Sequence, residues 1–183
     1  MVPIPSGNFM AGKPDSLKSV FLETYHIDRH EVTQEAFERR MGKNPAFFKG
    51  ANRPVEDVTW FDANKYCRKA GKRLPTEWEW EKAAKAGSAT PYYWGADMDG
   101  RYAWYKGNSE KQTHPVGEKK PNRYGLYDMA GNVWEWTSSN FGAMGKVVRG
   151  GSWRNSPVSL RSAHRIPSLP IHKFHYVGFR CVQ

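Results

Sequence analysis

Helix signals in this chain are confined to its first half. The strongest is Thr76-Glu77-Trp78-Glu79, where the Thr76 hydroxyl can accept from the Glu79 amide while the Glu79 carboxylate reaches back to the Thr76 amide. Glu77, Glu79 and Glu81 lie toward the positive end of this helix, Lys82 and Lys85 toward its negative end, and Gly87 stops it. A second helix begins at Thr59, with Asp62 three residues on and Gly71 just past its end. A shorter helix is expected after Thr33, with Phe37 turned inward, and Asn44 to Pro54 reads as loop. Residues Val20 to Ile27 alternate and read as one strand. From Thr90 onward no helical spacing persists; short apolar runs are broken by Gly, Pro and Asn. Two main helices early, with short strands and long loops late, make an α+β chain.

A chain of 183 residues suits one domain, and an aromatic content of 14%, including 8 Trp, is ample for its core. In Gly131-Asn132-Val133-Trp134-Glu135-Trp136 the alternation puts Trp134 and Trp136 on one face. The net charge of +10 is scattered and mixed with acids, so a solvated basic surface is expected. No recognition motif supports a nucleic-acid partner. The two cysteines, Cys67 and Cys181, do not make a disulfide framework and show no metal-ligand spacing. Cys67 is expected as a small buried hydrophobe on the Thr59 helix. Met1 to Pro5 carry no basic stretch followed by an apolar run, so no signal peptide is read, which leaves a cytoplasmic or virion-associated location open. No apolar run is long enough to cross a bilayer.

The run Gly71-Lys72-Arg73-Leu74-Pro75-Thr76-Glu77-Trp78-Glu79-Trp80-Glu81 closely resembles a segment of the formylglycine-generating-enzyme, or sulfatase-modifying-factor, family. Further segments match in order: Tyr93-Trp94-Gly95, then Pro121-Asn122-Arg123-Tyr124-Gly125-Leu126-Tyr127-Asp128-Met129-Ala130-Gly131-Asn132-Val133-Trp134-Glu135-Trp136, then Arg149-Gly150-Gly151-Ser152-Trp153, then Gly178-Phe179-Arg180-Cys181. The resemblance covers nearly the whole chain and implies a C-type-lectin-like fold over residues 1–183. It certifies a scaffold and not an activity.

The family's oxidases use a pair of cysteines that bind copper, placed between the Gly-Gly-Ser-aromatic motif and a following Arg-x-Ala-x-Arg. Here that stretch runs from Arg154 to Leu160, before Arg161-Ser162-Ala163-His164-Arg165, and holds no cysteine. Soft thiolates are what would hold copper(I), so the resemblance implies a member without the family's enzymatic chemistry. Cys181 matches the family's ending and is expected to be structural. His164, His172 and His175 lack the spacing of a metal site, and Ser152 and Asp128 have no partner histidine for hydrolysis. The resemblance also implies a calcium site from Asp128, Asn132 and Glu135 with a carbonyl near Ala130, hard oxygen ligands close in sequence.

The segment 152–177 is the most informative. Many family members carry runs of Asn here within a frame that this chain keeps at Gly151, Ser152, Trp153, Pro157, Leu160, Arg161, Ala163, Arg165, Pro170, Gly178, Phe179 and Arg180. Nearly every Asn slot has changed, with Asn155 alone remaining. That pattern is similar to the variable proteins of diversity-generating retroelements, in which adenines of Asn codons are randomised. Such codons cannot yield Lys, Glu, Gln, Met or Trp, and none of these occupies the slots. The resemblance implies a non-enzymatic, receptor-type binder of a protein or cell-surface ligand. Its face is expected to comprise Arg154, Asn155, Ser156, Val158, Ser159, His164, Ile166, Ser168, Leu169, Ile171, His172, Phe174, His175 and Tyr176, a paratope-like mix of flat anchors and small polar groups. The alternative is a fixed-function relative of the oxidases or a helper domain of an oxidoreductase.

Overall fold

The computed structural model describes residues 1–183. The chain opens with β1 (Val2–Ile4), β2 (Gly7–Ala11), β3 (Lys18–Leu22) and β4 (Tyr25–Ile27), followed by helices α1 (Gln34–Met41), α2 (Trp60–Lys69) and α3 (Glu77–Lys85). Strands β5 (Trp134–Phe141), β6 (Gly145–Arg149), β7 (Arg165–Ser168) and β8 (Val177–Gly178) complete it. The architecture is the expected α+β, C-type-lectin-like fold, with a four-stranded sheet in the order β7-β6-β5-β8. In that sheet β8 runs parallel to β5 and the other neighbours are antiparallel.

The helix starts follow their local chemistry. The Thr33 side chain accepts from Ala36 N–H, and Thr59 with Asp62 and Thr76 with Glu79 both close reciprocal capping boxes. The exposed carbonyls at the end of α3 are taken from far along the chain: Asn122 Nδ2 donates to Ala83 O at 2.7 Å and Ala84 O at 3.2 Å. The Asn122 Oδ1 atom accepts from the Tyr124 and Leu126 amides, so one side chain both ends the helix and shapes the loop before β5.

Two expectations need correction. Val20 to Ile27 is not one strand. β3 pairs with β2 as a hairpin, the chain bends at Glu23-Thr24, and β4 pairs with β1 in a different sheet. The inward positions are Val20 and Leu22 before the bend and Tyr25 and Ile27 after it, so the alternation slips by one residue at the exposed Glu23-Thr24. The second concerns Cys67, which is not a free buried thiol: it is bonded to Cys181, with Cα atoms 5.7 Å apart, and no free cysteine remains.

Strand β5 separates two apolar clusters. Trp134 and Trp136 share a face, as the alternation requires, and pack with Val148, Val177, Phe179 and the residues of α1 and α2. On the opposite face Glu135, fully buried, meets Trp80 of the other cluster through its indole Nε1, which donates at 2.8 Å. Arg180 completes the junction with two 2.8 Å bonds from its Nε and Nη2 to the Glu135 carboxylate. Its remaining donors go to the carbonyls of Asp28, Arg29 and Tyr127. A second buried guanidinium, Arg149, pairs with Glu81, which Lys85 also bonds. Gly131 is required where it stands: its φ is +83°, and a Cβ there would run into the Trp104 carbonyl. The C-terminus returns to the N-terminal strands, with Val182 bridging to Ile27 and Arg73, and Gln183 exchanging backbone bonds with His26.

Candidate functional site

The segment 152–177 is fastened through its main chain. Trp153 N–H donates to Asn132 O, Lys106 N–H to Asn155 O, Ser162 N–H to Pro91 O, Trp60 N–H to Pro170 O, Asp57 N–H to Phe174 O and Trp134 N–H to Tyr176 O, all within 3.1 Å. These bonds use groups common to every residue, so they hold the segment whatever side chains it carries. Its apolar pins are Trp153, Leu160 and Val177, all buried, together with the Ser162 side chain.

None of the fourteen expected face residues is buried; each is exposed or half-exposed. Six of them, Ile166, Ser168, Leu169, His172, Phe174 and Tyr176, line a mostly apolar groove of 550 Å³. Its opposite wall is the tip of the β5–β6 hairpin, with Phe141 and Met144, and Trp134 and Val148 lie beneath. Along one rim runs a stack: the Arg154 guanidinium sits 4.7 Å over the Tyr176 ring, Tyr176 stacks on Phe174 at 4.9 Å, and His172 meets Phe174 edge-on at 5.5 Å. Such contacts fix large side chains at low entropic cost while leaving their outer faces free.

The remaining positions point elsewhere. His175 packs on Trp153, Phe48 and the exposed Phe47. His164 tilts against Trp134 and, with Val158, lines a separate cavity. Ser156 precedes a short 3₁₀ turn, Pro157–Leu160, and Ser159 lies within it; Ile171 is exposed beside His172. Asn155 does not present its side chain. Its Oδ1 accepts from Trp134 Nε1 at 2.9 Å, from Ser152 Oγ at 2.6 Å and from Ser152 N–H at 3.1 Å. It is a brace under the face, which gives a physical reason for Asn at that slot. Phe141, the last residue of β5, and Met144 and Phe47, from loops that nothing in the sequence distinguishes from other turns, join the face.

The side-chain oxygens of Glu135 and Asn132, and one of Asp128, are spent on the protein itself. Glu135 is engaged by Arg180 and Trp80. Asn132 accepts from His114 N–H and donates to Glu31 and His114 O. Asp128 accepts from Gly117 N–H at 2.7 Å. Both Asp128 and Asn132 have left-handed backbone, φ +56° and +53°, a conformation these short polar side chains tolerate. The donor set does not fit a cation, and no group of three or more His, Cys, Asp or Glu side chains converges as metal ligands. Instead Glu31, Asp128 and Glu135 crowd one guanidinium. Burial, then the neighbouring carboxylates, push Glu31 well above the usual carboxylate range, and burial lifts Asp128 to about 6.

Residues 1–183 match the sulfatase-modifying factor enzyme 1-like domain. The chain is 37% identical over 164 residues to the formylglycine-generating enzyme of Streptomyces coelicolor, covering 71% of this chain and 52% of that protein. It is 32% identical over 238 residues to the serine/threonine-protein kinase pkn1 of Chlamydia caviae, and the whole chain spans only 38% of that protein's length. Among solved structures, Treponema denticola variable protein 1 superposes with a TM-score of 0.93 at 31% identity, over 100% of this chain and 94% of that one. The fastened main chain, the Trp-rich junction and the whole-length match agree: the chain belongs to the sulfatase-modifying factor enzyme 1-like domain family.

Proposed function

We propose that the chain is a non-enzymatic, receptor-type ligand-binding protein whose segment 152–177 is a diversified surface, as in the variable proteins of diversity-generating retroelements. The observation that carries this reading is the division of labour within the segment. Apart from Asn155, whose side chain braces Trp134 and Ser152, the expected variable positions are exposed or half-exposed, while the intervening pins Trp153, Leu160, Ser162 and Val177 are buried. A surface so arranged can change its side chains while the buried pins stay in place; Ile166, Phe174 and Tyr176 pack on the core from outside it. The likeness to a protein named as variable supports the same reading. So does the lack of a free thiolate, since both cysteines are consumed in one bridge. The ligand is a protein or cell-surface structure, engaged by the apolar groove and its aromatic rim, an arrangement of rigid flat anchors beside small adaptable groups.

Sequencing the 3′ end of this gene across a population of its source tests the reading. Substitutions concentrated at Arg154, Ser156, Val158, Ile166, His172, Phe174 and Tyr176, with the codons of Trp153, Asn155 and Leu160 unchanged, are the expected result. An invariant segment overturns it.

A further inference from the structure

A second cavity, of 530 Å³, shares no lining residue with the aromatic groove and lies between the turn after β2, the end of α3 and the 3₁₀ turn at Pro157–Leu160. Its size is that of a small-molecule site. Cations dominate its lining: Lys13 from the β2–β3 turn, Lys85 from α3 and Arg161 from the C-terminal segment, with His164 beside them and Asp15 as the one acid. Lys13 and Arg161 take part in none of the chain's ion pairs. Lys85 is held at the back wall by Glu81 at 2.8 Å and by the carbonyls of Met10 and Gly12. Glu81 is itself already neutralised by Arg149, so Lys85 leaves positive charge facing the cavity. Val158, Pro91 and Leu17 supply apolar wall.

We propose that this cavity binds a small organic anion, its phosphate or carboxylate group held between Lys13 and Arg161 and its carbon skeleton lying on Val158, Pro91 and Leu17. The charge arrangement is one that a bound anion would complete, because two free cations and a pinned third converge on one half-enclosed volume. The half-buried His164 reports that field. Burial, then Lys13, Arg149 and Arg161, hold its imidazole below the usual histidine range, and an anion seated among these cations raises it again. The cations of the site, Lys13, Lys85 and Arg161, lie outside the expected variable positions, whereas Val158 and His164 of its wall are among them.

The test is isothermal titration calorimetry of the full chain with glucose 6-phosphate, glucuronate and neutral glucose, alongside an NMR titration of the His164 ring with and without each probe. Saturable binding of one or both anions is expected, with glucose inert. Lys13→Gln and Arg161→Gln should each weaken it by about tenfold, the value of one charge-assisted hydrogen bond. Both side chains are exposed, so the folding of these variants is not in question. The His164 titration should move upward when the anion is bound. Binding of glucose 6-phosphate alone assigns a phosphate group, and binding of glucuronate alone a carboxylate. The double variant Phe174→Ala/Tyr176→Ala should leave all of this unchanged, which separates this site from the aromatic groove. The proposal is overturned if neither anion binds at millimolar concentration, if glucose binds as well as they do, or if neither Gln variant loses affinity.

Discussion

The bridge between Cys67 and Cys181 closes a loop spanning a sequence separation of 114 residues. Opening it returns that loop's freedom to the unfolded chain. The chain-entropy relation gives about 5 kcal/mol for a loop of this length at 25 °C. Spread over the unfolding entropy of a chain this size, that is a fall in Tm of about 10–15 °C. Both half-cystines are fully buried beside Phe179 and Leu74, so the reduced thiols add no exposed polar group and the loss is dominated by the loop term. The assay is equilibrium urea unfolding of the oxidised protein, of the protein in a phosphine reductant, and of Cys67→Ala/Cys181→Ala. The last two should agree with each other and lie about 3–5 kcal/mol below the first. A reduced protein within about 1 kcal/mol of the oxidised one would refute the entropic argument. Stoichiometric reaction of the native, unreduced protein with a thiol reagent in denaturant would refute the bridge itself.

Four further outcomes follow from the same contacts. Glu135→Ala should destabilise by about 3–5 kcal/mol in urea titrations, because it strands the fully buried Arg180 guanidinium. Asn155→Ala should cost about 1–3 kcal/mol through the three donors it leaves without an acceptor, whereas Arg154→Ala should change the melting free energy by about 0.5 kcal/mol or less. Gly131→Ala should fail to give a native melting transition, since a Cβ has nowhere to go beside the Trp104 carbonyl. Glu56 is buried with Oε2 unpartnered, and burial raises its carboxyl to about 7 from an ordinary 4.5. The folded state therefore keeps a proton that the unfolded state has shed, so stability declines as pH rises from about 4.5 to about 7. Glu56→Gln should flatten that part of a pH series of thermal melts, and an unchanged slope would count against the assignment.

What the sequence disclosed was what neighbours in the chain can settle between themselves. Thr59 with Asp62 and Thr76 with Glu79 are three residues apart, and their capping boxes form as read. The alternation at Trp134 and Trp136 likewise decides a face without outside help. Strands β1 and β2 carry too little pattern to announce themselves, and the change of partner at Glu23-Thr24 is set by chain far away. The Cys67–Cys181 bond spans most of the molecule, and nothing near either cysteine signals the other. At the proposed binding face, exposure followed from the frame of changed Asn slots. The inward turn of Asn155, the division into a groove and a separate cavity, and the contribution of Met144 and Phe47 all arise from tertiary placement.

The two ends of the chain flank a single strand. β1 pairs with β4 through Val2 and Ile27, and Val182 bridges to that same Ile27. Any polypeptide joined at either end therefore leaves from one place on the molecule. The two ends lie on either side of β4 and run on in opposite directions, the N-terminal one past Asp28 and the C-terminal one toward Tyr25. A force pulling on its ends would load both neighbours of β4 in shear before it reaches the sheet β7-β6-β5-β8.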